Sequence, residues 1–486
     1  MIPEKWDKEA DVIVVGYGAA GAAAAIEAHD AGASVLILEK MAGPGGNTAL
    51  TRGAVYGSNT SVQRAHGIQD SVEEMIDYVI GVSGGMVDEA LVRQCCEQSG
   101  ANIDWLVNLG VVFDTKPDIL SYEDMPDYAA RFPPRARHHR PGKQGRETSG
   151  LMRPLRNAVE ARGIEVMLKT PMLRLISNPH TREVIGVKTD KGNIKARKAV
   201  VLATGGFGRN PEMVRNYLAA YKGVLNMGAS GTTGDGIKAA QALGAGLANM
   251  GVLQPLLQGV VSGRVSASGD ERVVRVPMIT VHKMASCIIV DKNGKRFGDE
   301  FMHYAVLGPK MATELEDQTC FCIFDQDVKR TYGADLLLPA ASEGLVREIE
   351  GGMLITAPTI EELASKLGID PEALRETLAT FNRNAEKGMD PQFGRKMHLV
   401  PVKEPPFYAM RYKPTFMQTV GGIKINTRTQ VVDVFGNVIS RLYATGETTG
   451  GHVGQIYPSS GWMLMYCFAT GRTAGKVAAG ERPWDN

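Results

Sequence analysis

DVIVVGYGAAGAAAAIEAHDA, residues 11–31, followed by SVLILEK, residues 34–40, decides the fold. Asp11–Val15 is a short, mostly apolar run stopped by glycine, the pattern of a strand buried on both faces of a parallel sheet. Ala19–Ala31 is alanine-rich and helical, and Ser34–Leu38 is a second apolar run closed by Glu39. Strand, helix and strand make one βαβ unit, with Gly16, Gly18 and Gly21 in the turn between the first strand and the helix. At this spacing the first glycine permits the sharp reversal and the second lets a pyrophosphate approach the backbone. The third lets helix and strand pack closely, and the helix N-terminus offers unpaired N–H groups to phosphate. Glu39 stands where a carboxylate accepts from ribose hydroxyls. Alone, G-x-G-x-x-G is a weak signal. In register with both strands and the terminal acid it specifies a dinucleotide site.

Further motifs choose between NAD and FAD. GPGGNTALTRG (Gly43–Gly53) follows Glu39 within one loop and can wrap a pyrophosphate and a flavin. A second strand pattern, Lys198–Ala203, ends at Thr204-Gly205-Gly206, and a third, LYATGE, ends at Gly446-Glu447 near the C-terminus. Each is an ordinary turn by itself; in this order they point to FAD. The residues expected to hold it are Gly16, Gly18, Ala20, Gly21, Glu39, Lys40, Gly46, Asn47, Thr48, Gly53, Thr204, Gly205, Gly206, Asp235, Gly446, Glu447 and Met463.

The 486 residues, 44% hydrophobic and 22% charged, suffice for two or three domains with a large core. A net charge of +1 gives no reason to expect nucleic acid as a partner. The six cysteines form no C-x-x-C, which argues against haem c, an iron–sulfur cluster or zinc. They read as buried thiols in a reducing compartment. The first residues lack the basic and apolar regions of a signal peptide, and no window is apolar enough for a membrane span. The expectation is a cytoplasmic enzyme.

Along the chain, residues 62–160 read as a helical and loop-rich insertion. Arg131–Arg146 is a Pro- and Arg-rich loop too irregular for a regular element. From about residue 251 short strands, the turn at Lys292–Gly294 and the helical stretch Ile360–Lys387 suggest a separate α+β domain. The expected architecture is therefore α/β: a Rossmann-like FAD-binding domain in two parts, 1–250 and 401–486, with a capping or catalytic α+β domain inserted at 251–400.

With these segments in place the sequence resembles the fumarate reductase and 3-ketosteroid dehydrogenase superfamily of flavoproteins. The resemblance covers nearly the whole chain. It includes Thr233–Ala239 (TGDGIKA), Ile289–Glu300 (IVDKNGKRFGDE), Ile360–Arg395, Pro405–Ala409 (PPFYA), Val420–Gly422 and Tyr443–Gly451 (YATGETTGG). It implies a flavin ring at the interface between two domains. Members with covalent FAD carry a His at what corresponds to Asn47, so the resemblance implies non-covalent FAD here.

Fumarate reduction in this superfamily uses cationic side chains, and three of the corresponding positions hold something else. Tyr304 stands where one Arg is expected, Tyr457 where another is, and Met417 or Gln418 where a His is. The same positions are closer to the ketosteroid dehydrogenase branch. There a Tyr four residues before a Gly binds the ketone oxygen, as Tyr457 and Gly461 do by spacing, with the phenol O–H and a backbone N–H stabilising the developing enolate. Tyr304 then resembles the base that removes the α-proton, and flavin N5 takes the β-hydrogen as hydride. Tyr122 and Tyr128 are candidates to assist. His452, beside the Gly-Glu segment, reads as a structural hydrogen-bonder. Arg135–Arg140 reads either as a solvated loop or as a clamp for a carboxylate or phosphate.

The expected reaction is desaturation next to a ring ketone, in a 3-ketosteroid or in a cyclohexanone-type compound with or without a carboxylate. Electrons then leave to a quinone, a carrier or oxygen. Two alternatives stand beside it: reduction of an activated C=C bond in the manner of fumarate reductase, and a flavoprotein electron-transfer subunit with no organic substrate.

Overall fold

The computed structural model describes residues 2–113, 115–119, 130–142, 150–265, 271–275, 287–302, 304–337, 342–396, 398–454 and 456–484. The chain divides into two units, one formed by 1–219, 228–253 and 417–486 and the other by 220–227 and 254–416.

In the first unit, strand Lys8–Val15 lies between Gly192–Leu202 and Val35–Leu38, all parallel. Glu165–Met167 extends the sheet on one side, Val438–Ala444 and the antiparallel Gln430–Val432 on the other. The register is what positions the site. Val15 pairs with both Leu38 and Leu202, and Leu202 pairs with Ala444. The segments that follow, beginning at Gly16, Glu39, Ala203 and Thr445, therefore leave the sheet at one carboxyl edge, where ligands of open α/β sheets bind.

Helix Ala19–Asp30 is buried from Ala19 through Ala28, which explains its lack of a polar face. The long last helix, Trp462–Ala479, packs on it through glycines. A Cβ at Gly471 would fall 2.6 Å from the Ala20 carbonyl oxygen, and one at Gly475 would fall 2.2 Å from that of Ala24. Among the described residues, helices Ser61–Ala65, Val72–Val82, Glu89–Glu97, Ser99–Asn108 and Met152–Ala161 fall in the expected 62–160 insertion. The Arg131–Arg146 stretch, expected to be wholly irregular, contributes the short strand His138–His139, which pairs with Val55–Tyr56.

The second unit is built on an antiparallel sheet ordered Glu271–Arg275, Leu256–Val265, Phe407–Phe416, Cys320–Phe324, Cys287–Val290. Its boundary differs from the expected 400/401 junction. Phe407–Phe416 is the hub strand of this sheet, pairing also with Ile355–Ala357 and Leu225–Asn226, so the unit runs to Phe416 and recruits 220–227. Ile360–Lys387 is two helices, capped by Thr359 and Asp370 and parted at Gly368, whose φ is +71°. Their apolar sides pack Leu363, Leu374, Leu378 and Phe381 onto Ile288, Val290, Phe321 and Ile323.

The K-R-F-x-x-E segment serves this unit as a buried ion cluster. Arg296 donates to both oxygens of Glu300 (2.7 and 2.8 Å) and to both of Asp390 (3.0 and 2.9 Å), while Arg395 donates to Glu300 (3.0 Å) and to the Cys287 carbonyl (2.8 Å). The four side chains are at most 2% exposed. Removing one partner leaves buried charge uncompensated. Glu300→Gln keeps the volume but not the charge that both arginines share, and it is expected to destabilise this unit by about 3–5 kcal/mol. The measurement is amide exchange of strand Cys287–Val290; protection equal to wild type would make the cluster dispensable.

Candidate active site

The carboxyl edge of the first unit's sheet opens into a cavity of about 530 Å³. Of the expected cofactor residues, Gly16, Gly18, Ala20, Glu39, Lys40, Gly46, Asn47, Thr48, Thr204, Gly205, Asp235 and Glu447 line it. The three fingerprint glycines differ in their surroundings. Gly16 has φ +109°, and a Cβ there would fall 2.2 Å from the Ala203 carbonyl oxygen; one at Gly21 would fall 2.0 Å from that of Gly16. These two are glycines because protein packs against them. A Cβ on Gly18 would meet nothing closer than 3.6 Å, so its open face is turned to the cavity and leaves room for a ligand against the backbone.

Around this floor the donors and acceptors suit the ADP half of FAD. The first-turn amides of helix Ala19–Asp30 lie where no intrahelical acceptor reaches them; that of Ala19 donates to Thr48 Oγ1 (3.1 Å). Glu39 accepts from the Tyr17 N–H (2.9 Å) and the Met41 N–H (2.8 Å), one on each oxygen, which leaves lone pairs for a diol. Lys40 is ion-paired with Asp235 (2.7 Å).

Asn47 ties several segments together. Its amide donates to Glu447 (2.6 Å) and to the Met417 carbonyl (3.0 Å), and its oxygen accepts from the Ala229 N–H (2.7 Å). Glu447 also accepts from the Thr419 N–H (3.1 Å). Gly206 lies behind Glu447, where a Cβ would fall 2.6 Å from the carboxylate, so it shapes the site without lining the cavity. Gly446 packs on Ala20 and Cys467 in the same way. Gly21, Gly53 and Met463 do not line the cavity either. Residues that do, and that the sequence reading passed over, include Gly228–Thr232, Thr170, Met172 and Cys467. The run GASGT immediately before the TGDGIKA segment was the available signal for the first of these.

A second polar group surrounds the start of the last helix. The Tyr457 hydroxyl accepts from the Met463 N–H (2.9 Å). Gly461 has φ +94° and abuts strand Val55–Tyr56 so closely that a Cβ would fall 2.8 Å from the Tyr56 nitrogen. Its own N–H makes no hydrogen bond among the described residues. Tyr304 opens helix Tyr304–Glu314 of the second unit, and its side chain lies outside what the structure describes, as do Tyr122 and Tyr128 entirely.

His452 is fully buried. Its ring stacks on Tyr466 (3.7 Å between centroids), and Nδ1 accepts from the Trp462 indole N–H (3.2 Å). Burial pushes its ionisation down to about 3, so it is neutral and holds structure. The basic loop is neither freely solvated nor an open clamp. Arg137 is buried and bidentate on Asp70, Arg135 pairs with Glu74 (2.9 Å), and Arg140 pairs with Asp118 (3.0 Å).

Burial is also the main cause that lifts the Glu447 carboxyl to about 7, against the opposing pull of its hydrogen bonds from Asn47, Thr419 and Gly206. The folded value lies above the unfolded one, so the stability this group contributes is fully present below the ordinary carboxylate value and is lost as pH rises through about 7. The cofactor-free protein is therefore expected to lose more thermal stability between about pH 5 and about pH 8 than Glu447→Gln does. Calorimetry of the two checks this; parallel curves would exclude Glu447 as the titrating group.

A family model for the FAD binding domain matches residues 11–464. The chain is 33% identical to the NADH:fumarate oxidoreductase of Klebsiella pneumoniae (strain 342) over 97% of its own length and 48% of that protein, so it spans about half of that relative. It is 31% identical to the urocanate reductase of Eggerthella lenta, covering 98% of this chain and 76% of the relative. Among solved structures, the 3-ketosteroid-Δ4-(5α)-dehydrogenase of Rhodococcus jostii RHA1 is 30% identical over 98% of both chains, with a TM-score of 0.78. No described helix is long and apolar enough to cross a membrane. The chain belongs to the FAD binding domain family that these reductases and the ketosteroid dehydrogenase share, with an α/β FAD-binding fold and a capping domain.

Proposed function

We propose that the chain is an FAD-dependent oxidoreductase that reduces a C=C bond conjugated to a carbonyl group. This reverses the direction expected from the sequence, because the fumarate and urocanate relatives bear the names of reductases. The observation that carries the carbonyl is the arrangement at Tyr457 and Gly461. An amide N–H directed at the phenol oxygen makes its O–H a stronger donor. The Gly461 N–H, at the positive end of the 18-residue last helix, is a second donor. Both suit an oxygen that gains negative charge as the double bond is reduced.

FAD, held non-covalently at the cavity where Asn47 stands in place of a nucleophilic ring, would supply the hydride to the β-carbon. Tyr457 and Gly461 would hold the carbonyl oxygen and polarise the double bond. Tyr304, by the resemblance of its segment, would deliver the α-proton. The balance needs an external two-electron donor to the flavin.

Desaturation of a ring ketone is the second reading. It is favoured by Tyr304, Tyr457 and Met417 or Gln418 at positions where the resemblance implies the cations of fumarate reduction, and by the Rhodococcus relative. The two directions separate in one anaerobic experiment. The dithionite-reduced holoenzyme is expected to be reoxidised by cyclohex-2-en-1-one or a 3-keto-4-ene steroid. Bleaching of the oxidised flavin by the saturated ketones, with no reoxidation by any conjugated alkene, would instead select desaturation. Tyr457→Phe is expected to keep the flavin spectrum and lose about 10²–10³-fold in turnover; turnover equal to wild type would take Tyr457 out of the mechanism.

A further inference from the structure

Residues 138–140 reach the same turn from another part of the chain. Strand Val55–Tyr56 lies between them and Gly461: it pairs with His138–His139, and the Tyr56 N–H donates to the Gly461 carbonyl (3.2 Å). His138 Nε2 comes within 3.2 Å of Ser460 Oγ, and Arg140 Nε donates to His138 Nδ1 (3.4 Å).

These contacts fix where the protons are. A guanidinium only donates, so Nδ1 of His138 must be the acceptor, and the single ring proton sits on Nε2. Burial, then the charges of Arg140 and His139, push ionisation of His138 down to about 3, so the ring is neutral over any working pH. Nε2–H therefore donates to Ser460 Oγ. The serine oxygen is used as an acceptor, and its own proton must point elsewhere. Among the described residues no protein group accepts it. Ser460 and Gly461 are both half-buried and adjacent, so two donors with no protein acceptor among the described residues border the same turn as the Tyr457 hydroxyl.

We propose that Ser460 is a third donor to the substrate oxygen, and that His138 and Arg140 are positioning residues that hold its hydroxyl in the donating orientation. The proposal rests on the carbonyl site described above. It adds a specificity element, since three donors favour an oxygen carrying full negative charge, an enolate or phenolate, over a neutral ketone.

Binding of 4-nitrophenol to the oxidised holoenzyme tests this without turnover, because the ionised and neutral phenol differ in colour. Wild type is expected to bind the phenolate in preference to the phenol. Ser460→Ala is expected to reduce that preference about tenfold, the scale of one charge-assisted hydrogen bond, with Ser460→Thr restoring it. His138→Phe should reproduce the alanine effect, whereas His138→Gln, which keeps a donor at that position, should lose less. With a competent alkene, Ser460→Ala should lower kcat with little change in KM. Equal phenolate preference in wild type, Ser460→Ala and His138→Phe would overturn the proposal. So would a wild type with no preference, or a threonine variant as impaired as the alanine one. Failure of every alkene to reoxidise the flavin would count against the reductase reading only, since the phenolate titration does not depend on turnover.

Discussion

Parallel pairing in one sheet is the constraint from which the site follows. Val15, Leu38, Leu202 and Ala444 end in register, so a fingerprint loop, an acid, a glycine pair and a Gly-Glu from distant parts of the sequence arrive at one edge. A shift of this register would move each of those segments away from its neighbours. The hydrogen bonds made by Asn47 and Glu447 then tie the loops together, and they do so between side chains that also face the cavity. The same residues stabilise the loops and present the surface to a ligand.

Much of this was legible because it depends on local rules. The G-x-G-x-x-G spacing, the short apolar runs and the acid at a strand end each carry a meaning that survives without knowledge of the rest of the chain. The separate reasons for Gly16, Gly18 and Gly21 could be stated from spacing, and the packing around each agrees with them. The boundary of the second unit was harder. Phe407–Phe416 reads as a strand from its sequence, but nothing in ten residues says which sheet it joins; that is decided by partners as far away as Leu225 and Leu256.

The same limit applies to charges. Arg135–Arg140 is conspicuous in sequence as a basic run, yet its arginines are answered by Asp70, Glu74 and Asp118, which no pattern connects to them. His138 carries no signal of its own within that run. Its position against Ser460 depends on a two-residue strand pairing that falls below any sequence signal. Glu300, Arg296 and Arg395 belong to segments that carry the family resemblance, and here they hold a core together. A motif can be kept by packing as readily as by chemistry.

The glycine contacts between the first and last helices bear on how the chain is made. Ala20 and Ala24 find their close partners in Gly471 and Gly475, about 450 positions later. During synthesis the βαβ unit emerges long before Gly471 and Gly475, so this face of its helix stays uncovered until they follow. Glu447 and the strand ending at Ala444 also come late. The cofactor cavity therefore cannot close progressively as the chain grows. Its assembly waits for the stretch that carries Gly471 and Gly475, and the nascent chain must keep an alanine-rich, largely apolar helix out of wrong associations until then.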